Sequence, residues 1–302
     1  MTAVPTTVLI LGGTGMLGHT LFETLSDRAG LDVHASVRDG GPVEARSSPE
    51  RRRSIHSGID ASHFETIEGV VAAVRPAVLV NAIGIVSQVP AASDPAAMIE
   101  INAWLPHRLA RLCAGAGIRL VHVSTDCVFA GTKGSYTEDE SPDAEDLYGR
   151  SKLLGEPGHG ALTLRTSLIG HELTSGHGLL EWFLARTGTA TGFRKAIFSG
   201  LTTVEFGRFL AEVVLPHPEL SGIHHLSSDP ISKLRLLELV ADRYERQVEI
   251  LPRDEPVIDR SLDSSRLRAA TGYRPPSWPD LVEALHEDAA NRYGSRVTAG
   301  VR

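Results

Sequence analysis

A tyrosine and a lysine stand four positions apart in the stretch Tyr-Gly-Arg-Ser-Lys, at Tyr148 and Lys152. On a helix these side chains would share one face, because Cβ atoms four residues apart are roughly 5–6 Å apart. A tyrosine titrates near pH ~10, and a neighbouring ammonium stabilises its anion and lowers that pKa. The pair could therefore exchange a proton with a substrate oxygen near neutral pH. The alternative is a solvated tyrosine and lysine on a surface helix.

The elements that must position this pair alternate along the first half of the chain. Apolar runs predict buried strands at 7–11, 33–37, 77–80 and 120–124, and helical periodicity predicts helices at 17–25, 64–74 and 94–116. The segment 40–58 is rich in Gly, Pro, Ser and Arg, which predicts mostly loop. Strands and helices that alternate at this spacing are typical of a parallel sheet with helices on both faces.

A glycine-rich turn follows the first predicted strand and opens the first predicted helix. Its glycines are Gly12, Gly15 and Gly18, and Met16 and Leu17 lie between the last two. Glycine lets the backbone approach a pyrophosphate closely, and the helix N-terminus then stabilises the phosphate charge. The turn therefore predicts a dinucleotide site, with a glycine turn that serves packing alone as the alternative.

The second and third predicted strands should end beside the adenosine of such a dinucleotide. Arg38 lies twenty residues after Gly18 and is followed by Asp39. An arginine there can stack on adenine and bind a 2′-phosphate, which favours NADPH over NADH. The alternative is a solvated Arg38, with Asp39 as the ribose ligand. Ile59 and Asp60 stand where a third strand would bring a carboxylate to the adenine amine, although an aspartate at a strand end is usually a turn residue.

Composition narrows the function classes. The chain has 302 residues, of which 42% are hydrophobic and 22% charged, as expected of a soluble globular protein. Its net charge of −7 argues against a general role on nucleic acid or anionic membranes. Cys113 and Cys127 lack metal-ligand spacing and fit a reduced compartment, with one disulfide as the alternative. We find neither a secretory leader nor an apolar run of membrane-spanning length, so a cytoplasmic protein is expected.

Five motifs occur in an order that resembles the extended short-chain dehydrogenase/reductases. They are the glycine turn, Asn81-Ala82-Ile83-Gly84, Ile101-Asn102-Ala103, Ser124-Thr125-Asp126-Cys127-Val128-Phe129 and Tyr148-Gly149-Arg150-Ser151-Lys152. The fourth motif and the following Gly-Thr-Lys-Gly-x-Tyr-x-Glu-Asp loop resemble dTDP-4-dehydrorhamnose reductase, which reduces the 4-keto group of a nucleotide-linked deoxysugar. The resemblance is strongest over 7–165.

The resemblance implies a role for each matching residue. Tyr148 would donate a proton to the carbonyl oxygen, Lys152 would hold the nicotinamide ribose and lower the Tyr148 pKa, and Thr125 would hydrogen-bond the same oxygen. Asp126 would also face the substrate, and Asn102 would help to position the lysine. A separate set would line the cofactor, namely Ala82, Ile83 and Gly84. No metal is expected, because hydride transfer from a nicotinamide needs orientation and a proton source.

The predicted fold class is α/β, with a Rossmann-type doubly wound parallel sheet and a smaller, mostly helical C-terminal substrate lobe. The predicted domains are 1–165, which binds NAD(P) and to which segments near 195–226 return, and 166–302, which is mainly the substrate-binding lobe. Predicted helices in the second half lie at 179–184, 204–214, 231–244 and 280–293, and strands at 222–226 and 248–251. The resemblance implies NADPH-dependent reduction of a nucleotide-sugar ketone at C4.

Other functions remain open from the sequence. The chain has Leu168-Ile169-Gly170-His171 where the family often has an aromatic residue, and its approach to Tyr148 lacks the family's Pro-x-Asn-x-Tyr pattern. A UDP-linked 2-acetamido-2,6-dideoxy-4-hexulose is therefore an alternative substrate. His171 and His177 are expected to be solvated loop residues rather than ligands or bases. An epimerase or dehydratase of the same superfamily and a non-catalytic NAD(P)-binding regulatory subunit are alternative functions, and a homodimer is the candidate assembly.

Overall fold

The computed structural model describes residues 4–87, 90–174 and 176–294. The chain divides into two compact units. The first comprises the described residues of Met1–Thr125, Glu145–Arg165 and Gly207–His224, and the second those of Asp126–Ala144, Thr166–Phe206 and His225–Arg302. None of the described helices is both long and apolar enough to cross a membrane.

The first unit is built on a seven-stranded sheet. Its strands are β1 (Thr6–Leu11), β2 (Leu31–Ser36), β3 (Ile55–His56), β4 (Val78–Asn81), β5 (Arg119–Thr125), β6 (Ala161–Thr166) and β11 (Gly222–His225). Their order is β11-β6-β5-β4-β1-β2-β3. The pairings from β3 through β2, β1 and β4 to β5 are all parallel. The sheet with its flanking helices confirms the predicted fold class.

Helices connect these strands. They are α1 (Met16–Ser26), α2 (Gly41–Glu44), α3 (Pro49–Arg52), α4 (Phe64–Val74), α5 (Pro95–Met98), α6 (Leu105–Ala116) and α7 (Leu147–Leu154). A π-helical stretch, Ile99–Trp104, joins α5 to α6. The prediction of mostly loop over 40–58 is wrong in part, because α2, α3 and β3 lie there. Pro42 and Pro49 stand in the first turns of α2 and α3, where proline needs no hydrogen-bond donor.

The core of the first unit follows from its central strand. Val8, Leu9, Ile10 and Leu11 of β1 are all fully buried, as expected of a parallel strand covered on both faces. On one face, the α4 and α6 helices pack their apolar residues, including Ile67 and Leu109, against this strand and its neighbours. Burial of this apolar surface is the main stabilising contribution to the sheet.

The second unit contains shorter strands and most of the remaining helices. Its strands are β7 (Leu168–Ile169), β8 (Gly188–Phe193), β9 (Ala196–Phe198), β10 (Leu201–Thr202), β12 (Ile231–Ser232), β13 (Val248–Arg253) and β14 (Ile258–Asp259). Its helices are α8 (Leu179–Leu184), α10 (Lys233–Arg243), α11 (Ser265–Thr271) and α12 (Trp278–Tyr293). A further helix, α9 (Thr203–Phe209), starts in this unit and continues as the π-helical stretch Leu210–Val214.

The start of α1 packs unusually close to the end of β1. A Cβ atom added to Gly18 would lie 2.1 Å from the Gly12 carbonyl oxygen, which is far inside van der Waals contact. Gly12 has φ +89°, a conformation that side chains rarely adopt. The glycine spacing is therefore a steric requirement of this strand–turn–helix connection.

We expect Gly18→Ala to lower the free energy of unfolding by about 2–3 kcal/mol, because the new methyl group must displace backbone. Gly69→Ala provides a matched control in α4, where an added Cβ meets nothing within 4 Å. That control should raise the stability by about 0.5–1 kcal/mol through its better helix propensity. Urea unfolding of both variants measures the two effects. Equal stability of the Gly18 variant and the wild type would contradict the steric requirement.

Candidate active site

The strand order reverses between β1 and β4. From β1 the chain continues to β2 and β3 on one side, and from β4 it continues to β5 and β6 on the other. In open parallel sheets, ligands bind outside the carboxyl ends of the strands at such a reversal. Gly12 follows the carboxyl end of β1, and Ala82 follows the carboxyl end of β4. Two predicted cofactor segments are thus brought to the same point of the sheet.

The glycine turn leaves the N-terminus of α1 open. Gly15 donates its N–H to the Gly12 carbonyl at 3.0 Å, and α1 begins at Met16. Leu17 and Gly18 in this first turn are buried, and in the described part of the chain no side chain caps the helix start. The first amides of a helix lack intrahelical partners and favour an anion. The turn therefore has the geometry of a phosphate site.

The three residues predicted to lie near an adenosine come together near the end of β2. Arg38 is exposed, and Ile59 donates its N–H to the Val37 carbonyl at 3.0 Å. The Asp60 carboxylate accepts from the Ser62 N–H at 3.0 Å and from its hydroxyl at 2.8 Å. These bonds, and then the charge of Arg38, hold the pKa of Asp60 below its ordinary value. Asp60 is therefore a turn residue that also lies near Arg38.

Asn102 fixes the chain that follows β4. Its side chain is 1% exposed within the π-helical stretch, where it accepts from the Ile85 N–H at 2.8 Å and donates to the Ile85 carbonyl at 2.8 Å. It also donates to the Ser151 hydroxyl at 3.2 Å. One buried amide thus connects the segment that contains Ala82, Ile83 and Gly84 to helix α7. π-helical turns of this kind are frequent at functional sites.

Tyr148 and Lys152 lie on α7, as predicted. The Asp146 side chain caps the helix by accepting from the Gly149 N–H at 2.8 Å. Tyr148 is half-buried, whereas Lys152 is only 5% exposed and donates from Nζ to the Val123 carbonyl at 2.7 Å. Burial lowers the pKa of Lys152 to about 8, against the opposing attraction of a nearby carboxylate. The alternative of a solvated lysine is therefore wrong.

Thr125 is the last residue of β5. It lies two positions after Val123, whose carbonyl accepts the hydrogen bond from Lys152. The Thr125 side chain is 6% exposed. Asp126 is also buried and opens a short 3₁₀ turn, Asp126–Val128, in the second unit. The hydrogen bond from Lys152 to Val123 therefore fixes the ammonium to the strand that ends in Thr125.

His122 is a buried residue that sequence reasoning missed. It is fully buried in β5, and its Nδ1 lies 3.1 Å from Nδ2 of Asn81. Burial, and then the charges of Lys152 and His107, hold the pKa of His122 well below its ordinary value, so the ring is neutral. Asn81 also accepts from the Ile83 N–H at 3.1 Å. A histidine within the apolar run that forms β5 and an asparagine at the end of the run that forms β4 were the available signal.

A second group of missed residues is Ser124, Glu156 and Arg165. Ser124 and Arg165 both donate hydrogen bonds to the Glu156 carboxylate inside the first unit. An arginine within the apolar run that forms β6 was the available signal, since a buried charge needs a partner.

The prediction of a solvated His171 is wrong. The ring is 8% exposed, with Nδ1 at 2.7 Å from a Glu181 carboxylate oxygen and Nε2 at 2.9 Å from the Tyr244 hydroxyl. Glu181 and Tyr244 come from α8 and from the end of α10, which a local sequence pattern cannot pair with His171. His177 is exposed, as predicted.

The structure describes both cysteines of the chain. Cys113 and Cys127 are free thiols. Among the residues that the structure describes, no three His, Cys, Asp or Glu side chains are grouped to hold a metal ion.

The fold and the order of the motifs define an extended short-chain dehydrogenase/reductase. Within that class, the chain belongs to the RmlD substrate binding domain family, whose model matches residues 6–184.

The chain is similar to proteins with two different descriptions. It is 25% identical to the mouse methionine adenosyltransferase 2 subunit beta over 315 aligned positions, which cover 91% of this chain and 88% of that protein. It is 33% identical to the dTDP-4-dehydrorhamnose reductase of Streptomyces griseus over 149 positions, which cover 49% of this chain and 43% of the relative.

A solved structure shares the fold. The dTDP-4-dehydrorhamnose reductase of Bacillus anthracis, in complex with NADP, superposes with a TM-score of 0.77 at 21% identity. The superposition covers 94% of this chain and 99% of that chain.

The buried ammonium gives a pH-dependent stability that can be measured. Because folding lowers the Lys152 pKa from 10.5 to about 8, the folded state binds fewer protons than the unfolded state between these values. The cost of the buried charge is thus fully present below pH 8 and is lost by pH 10.5. The free energy of unfolding of the wild type should therefore gain a contribution of up to about 3 kcal/mol between pH 7 and 10.5. Lys152→Met should lack this contribution.

Urea unfolding at the two pH values tests this change. Lys233→Met at the exposed start of α10 is the matched control, and its difference from the wild type should be the same at both pH values. The same pH-independent difference for Lys152→Met would show that the ammonium is not desolvated in the folded protein.

Proposed function

We propose that this protein reduces the 4-keto group of a nucleotide-linked deoxysugar with NADPH, in the cytoplasm. The observation that carries the proposal is the buried Lys152 ammonium, which is one helical turn after Tyr148 and is bonded to β5 two residues before Thr125. A chain that only binds a dinucleotide has no need of an acid–base pair beside a strand-end hydroxyl. Membership of the RmlD family and the two free thiols agree with this function and compartment.

The residues present fit a nicotinamide dinucleotide. The uncapped N-terminus of α1 suits its pyrophosphate, and the Gly12–Gly18 approach leaves no room for a Cβ atom at Gly18. Arg38 is exposed at the end of β2, where a cation can bind a 2′-phosphate, and this favours NADPH over NADH. The Bacillus anthracis relative, solved with NADP, supports the same choice. Ala82, Ile83 and Gly84 would line the opposite side of the cofactor.

In this proposal, a bound NADPH would supply the hydride, and the chain would supply the proton. Tyr148 would donate its phenolic proton to the carbonyl oxygen of the sugar while Thr125 donates a hydrogen bond to that oxygen. Lys152 would stabilise the resulting phenolate and hold the nicotinamide ribose. Because burial has already lowered its pKa to about 8, Lys152 can also pass a proton on near neutral pH. Asp126 would contact the sugar beside Thr125.

Purified protein should oxidise NADPH in the presence of dTDP-4-dehydrorhamnose or a UDP-linked 2-acetamido-2,6-dideoxy-4-hexulose. Tyr148→Phe should lower kcat by about 100-fold or more, since removal of a general acid typically has this effect. Absorbance at 340 nm measures the rate, with NADH run in parallel to rank the cofactors. Tyr293→Phe removes a hydroxyl at the end of α12 and is the matched control with the wild-type rate.

A wild-type rate in the Tyr148 variant would refute its role as the acid. Conversion of the sugar without stoichiometric oxidation of NADPH would instead identify an epimerase or a dehydratase that keeps its cofactor bound.

The second candidate function is that of a subunit of another enzyme. The similarity to methionine adenosyltransferase 2 subunit beta extends over 91% of this chain, whereas the Streptomyces griseus reductase matches 49% of it. If this candidate is correct, the purified protein should bind NADPH, reduce no keto-sugar nucleotide and co-elute with a methionine adenosyltransferase in gel filtration. Turnover of a keto-sugar nucleotide, with no co-elution, would refute it.

A further inference from the structure

Three buried polar side chains of the first unit form one network outside the reacting groups proposed above. Glu156 Oε1 accepts from the Ser124 hydroxyl at 2.6 Å and from Arg165 Nε at 2.9 Å, and Glu156 Oε2 accepts from a terminal Arg165 nitrogen at 2.8 Å. The Arg165 and Glu156 side chains are only 4% and 3% exposed. Both carboxylate oxygens are thus bonded inside the protein.

Stability alone does not account for this network. Moving a carboxylate and a guanidinium out of water costs several kcal/mol each, and apolar residues of similar volume often serve a core as well or better. The residues on either side of Arg165 are also buried, and Leu164 is fully so. A carboxylate that accepts three hydrogen bonds, two of them from one guanidinium, gives this part of the core a single defined geometry.

The three residues come from the elements that hold the reacting groups. Ser124 directly precedes Thr125 in β5, and Glu156 stands four positions after Lys152, just beyond the end of α7. Arg165 belongs to β6, which neighbours β5 in the sheet. One carboxylate therefore connects the strand that ends in Thr125, the end of the Tyr148–Lys152 helix and the next strand.

The turn between Lys152 and Glu156 has no room to adjust. A Cβ atom on Gly155 would lie 1.8 Å from the Asn102 carbonyl oxygen, so the end of α7 packs directly on the π-helical stretch. Glu156 is held in addition by its own N–H, which donates to the Leu153 carbonyl at 3.1 Å. Because backbone contacts fix this turn, the position of the Glu156 carboxylate is well defined relative to Lys152.

Glu156 also acts on Lys152 by charge. Its carboxylate favours the charged ammonium and opposes the effect of burial on the Lys152 pKa. Titratable groups near this pair include His122 on β5, whose pKa the charges of Lys152 and His107 lower, and Tyr148 on the helix of the lysine. Arg165 is ion-paired with Glu156 and opposes its charge. His122 is neutral for the reason given above, so it supplies no counter-charge.

We propose that Ser124, Glu156 and Arg165 are positioning residues that hold Thr125 and the Tyr148–Lys152 helix in register and give the buried ammonium its counter-charge. The kinetic consequence of this role rests on the proposed function. The effect on Lys152 requires no substrate and can be measured on the protein alone.

The chain has only four lysines, Lys133, Lys152, Lys195 and Lys233, so a sample labelled with ¹³C-lysine gives four ε-methylene signals. Lys152→Arg assigns the signal of Lys152 by its disappearance. In Glu156→Gln, the Lys152 signal should titrate at lower pH than in the wild type, because the amide keeps the shape and removes the negative charge. In Arg165→Met, it should titrate at higher pH, because the carboxylate is no longer neutralised. Glu68→Gln on the exposed face of α4 is the matched control and should leave all four titrations unchanged.

The kinetic readout uses the keto-sugar reductase assay. Glu156→Gln should lower kcat by about 10-fold or more, while the KM for the sugar stays within about twofold, because the reacting groups rather than the substrate contacts are displaced. Ser124→Ala should lower kcat by about fivefold, because it removes the hydrogen bond that holds the end of β5 to Glu156. It leaves the ion pair between Glu156 and Arg165 intact.

The outcomes separate this proposal from the proposed function. If the wild type reduces no keto-sugar but the two titrations shift as stated, the reductase assignment fails and the counter-charge role stands. Folded Glu156→Gln protein with a wild-type Lys152 titration and kcat would overturn the positioning role. Failure of Glu156→Gln and Arg165→Met to fold, together with a wild-type titration and kcat in Ser124→Ala, would make the network purely structural and would also overturn it.

Discussion

The burial of one ammonium constrains much of the first unit. Lys152 carries its charge into the protein interior, where it is only 5% exposed and its Nζ donates to the Val123 carbonyl. A desolvated charge is costly unless neighbouring dipoles and charges compensate for it. The carbonyl on β5, the carboxylate of Glu156 and the neutral state of His122 all provide or permit that compensation. Helix α7 must therefore hold its position against β5 for the lysine to be tolerated at all.

The glycine turn, on the other side of the candidate site, is fixed by backbone packing rather than by side-chain charges. The connection from β1 to α1 brings the Gly12 carbonyl so close to Gly18 that no Cβ atom fits. This close packing places the start of α1, which no described side chain caps, at the reversal of strand order. The proposed function places the cofactor phosphates at this turn, and Asn102 fixes the segment after β4. The glycine turn and the Tyr148–Lys152 helix are thus both held in place before any ligand binds.

The similarity to a reductase and to a subunit of another enzyme poses a question that fold alone does not answer. Members of one superfamily share a sheet, a glycine turn and a nucleotide site, while function depends on specific side chains. In this chain the three side chains that the proposed reduction needs, Tyr148, Lys152 and Thr125, are present, and the lysine has the burial and the lowered pKa that acid–base chemistry uses. We therefore favour the reductase function. We interpret the similarity to the subunit, which extends over 91% of the chain, as evidence of common descent.

Much of the fold was predictable from local pattern. The strands near β1, β2, β4 and β5 and the helices α1, α4 and α6 follow from apolar periodicity and punctuation, because each is long or strongly patterned. The two-residue strand β3 and the one-turn helices α2 and α3 were not predicted. Elements of this length carry too few residues for a period to be recognised, and they form because neighbouring elements supply their hydrogen bonds, as when Val37 donates to the His56 carbonyl.

For the candidate site, the sequence by itself determined which chemical groups are present: a phenol and an ammonium four residues apart, a strand-end hydroxyl and a glycine turn. Only the tertiary structure decided that Lys152 is buried, that Glu156 pairs with Arg165 and that His171 pairs with Glu181 and Tyr244. The physical reason is that solvation and long-range pairing set the charge state of a side chain. Both depend on residues that are distant in the chain and adjacent only after folding.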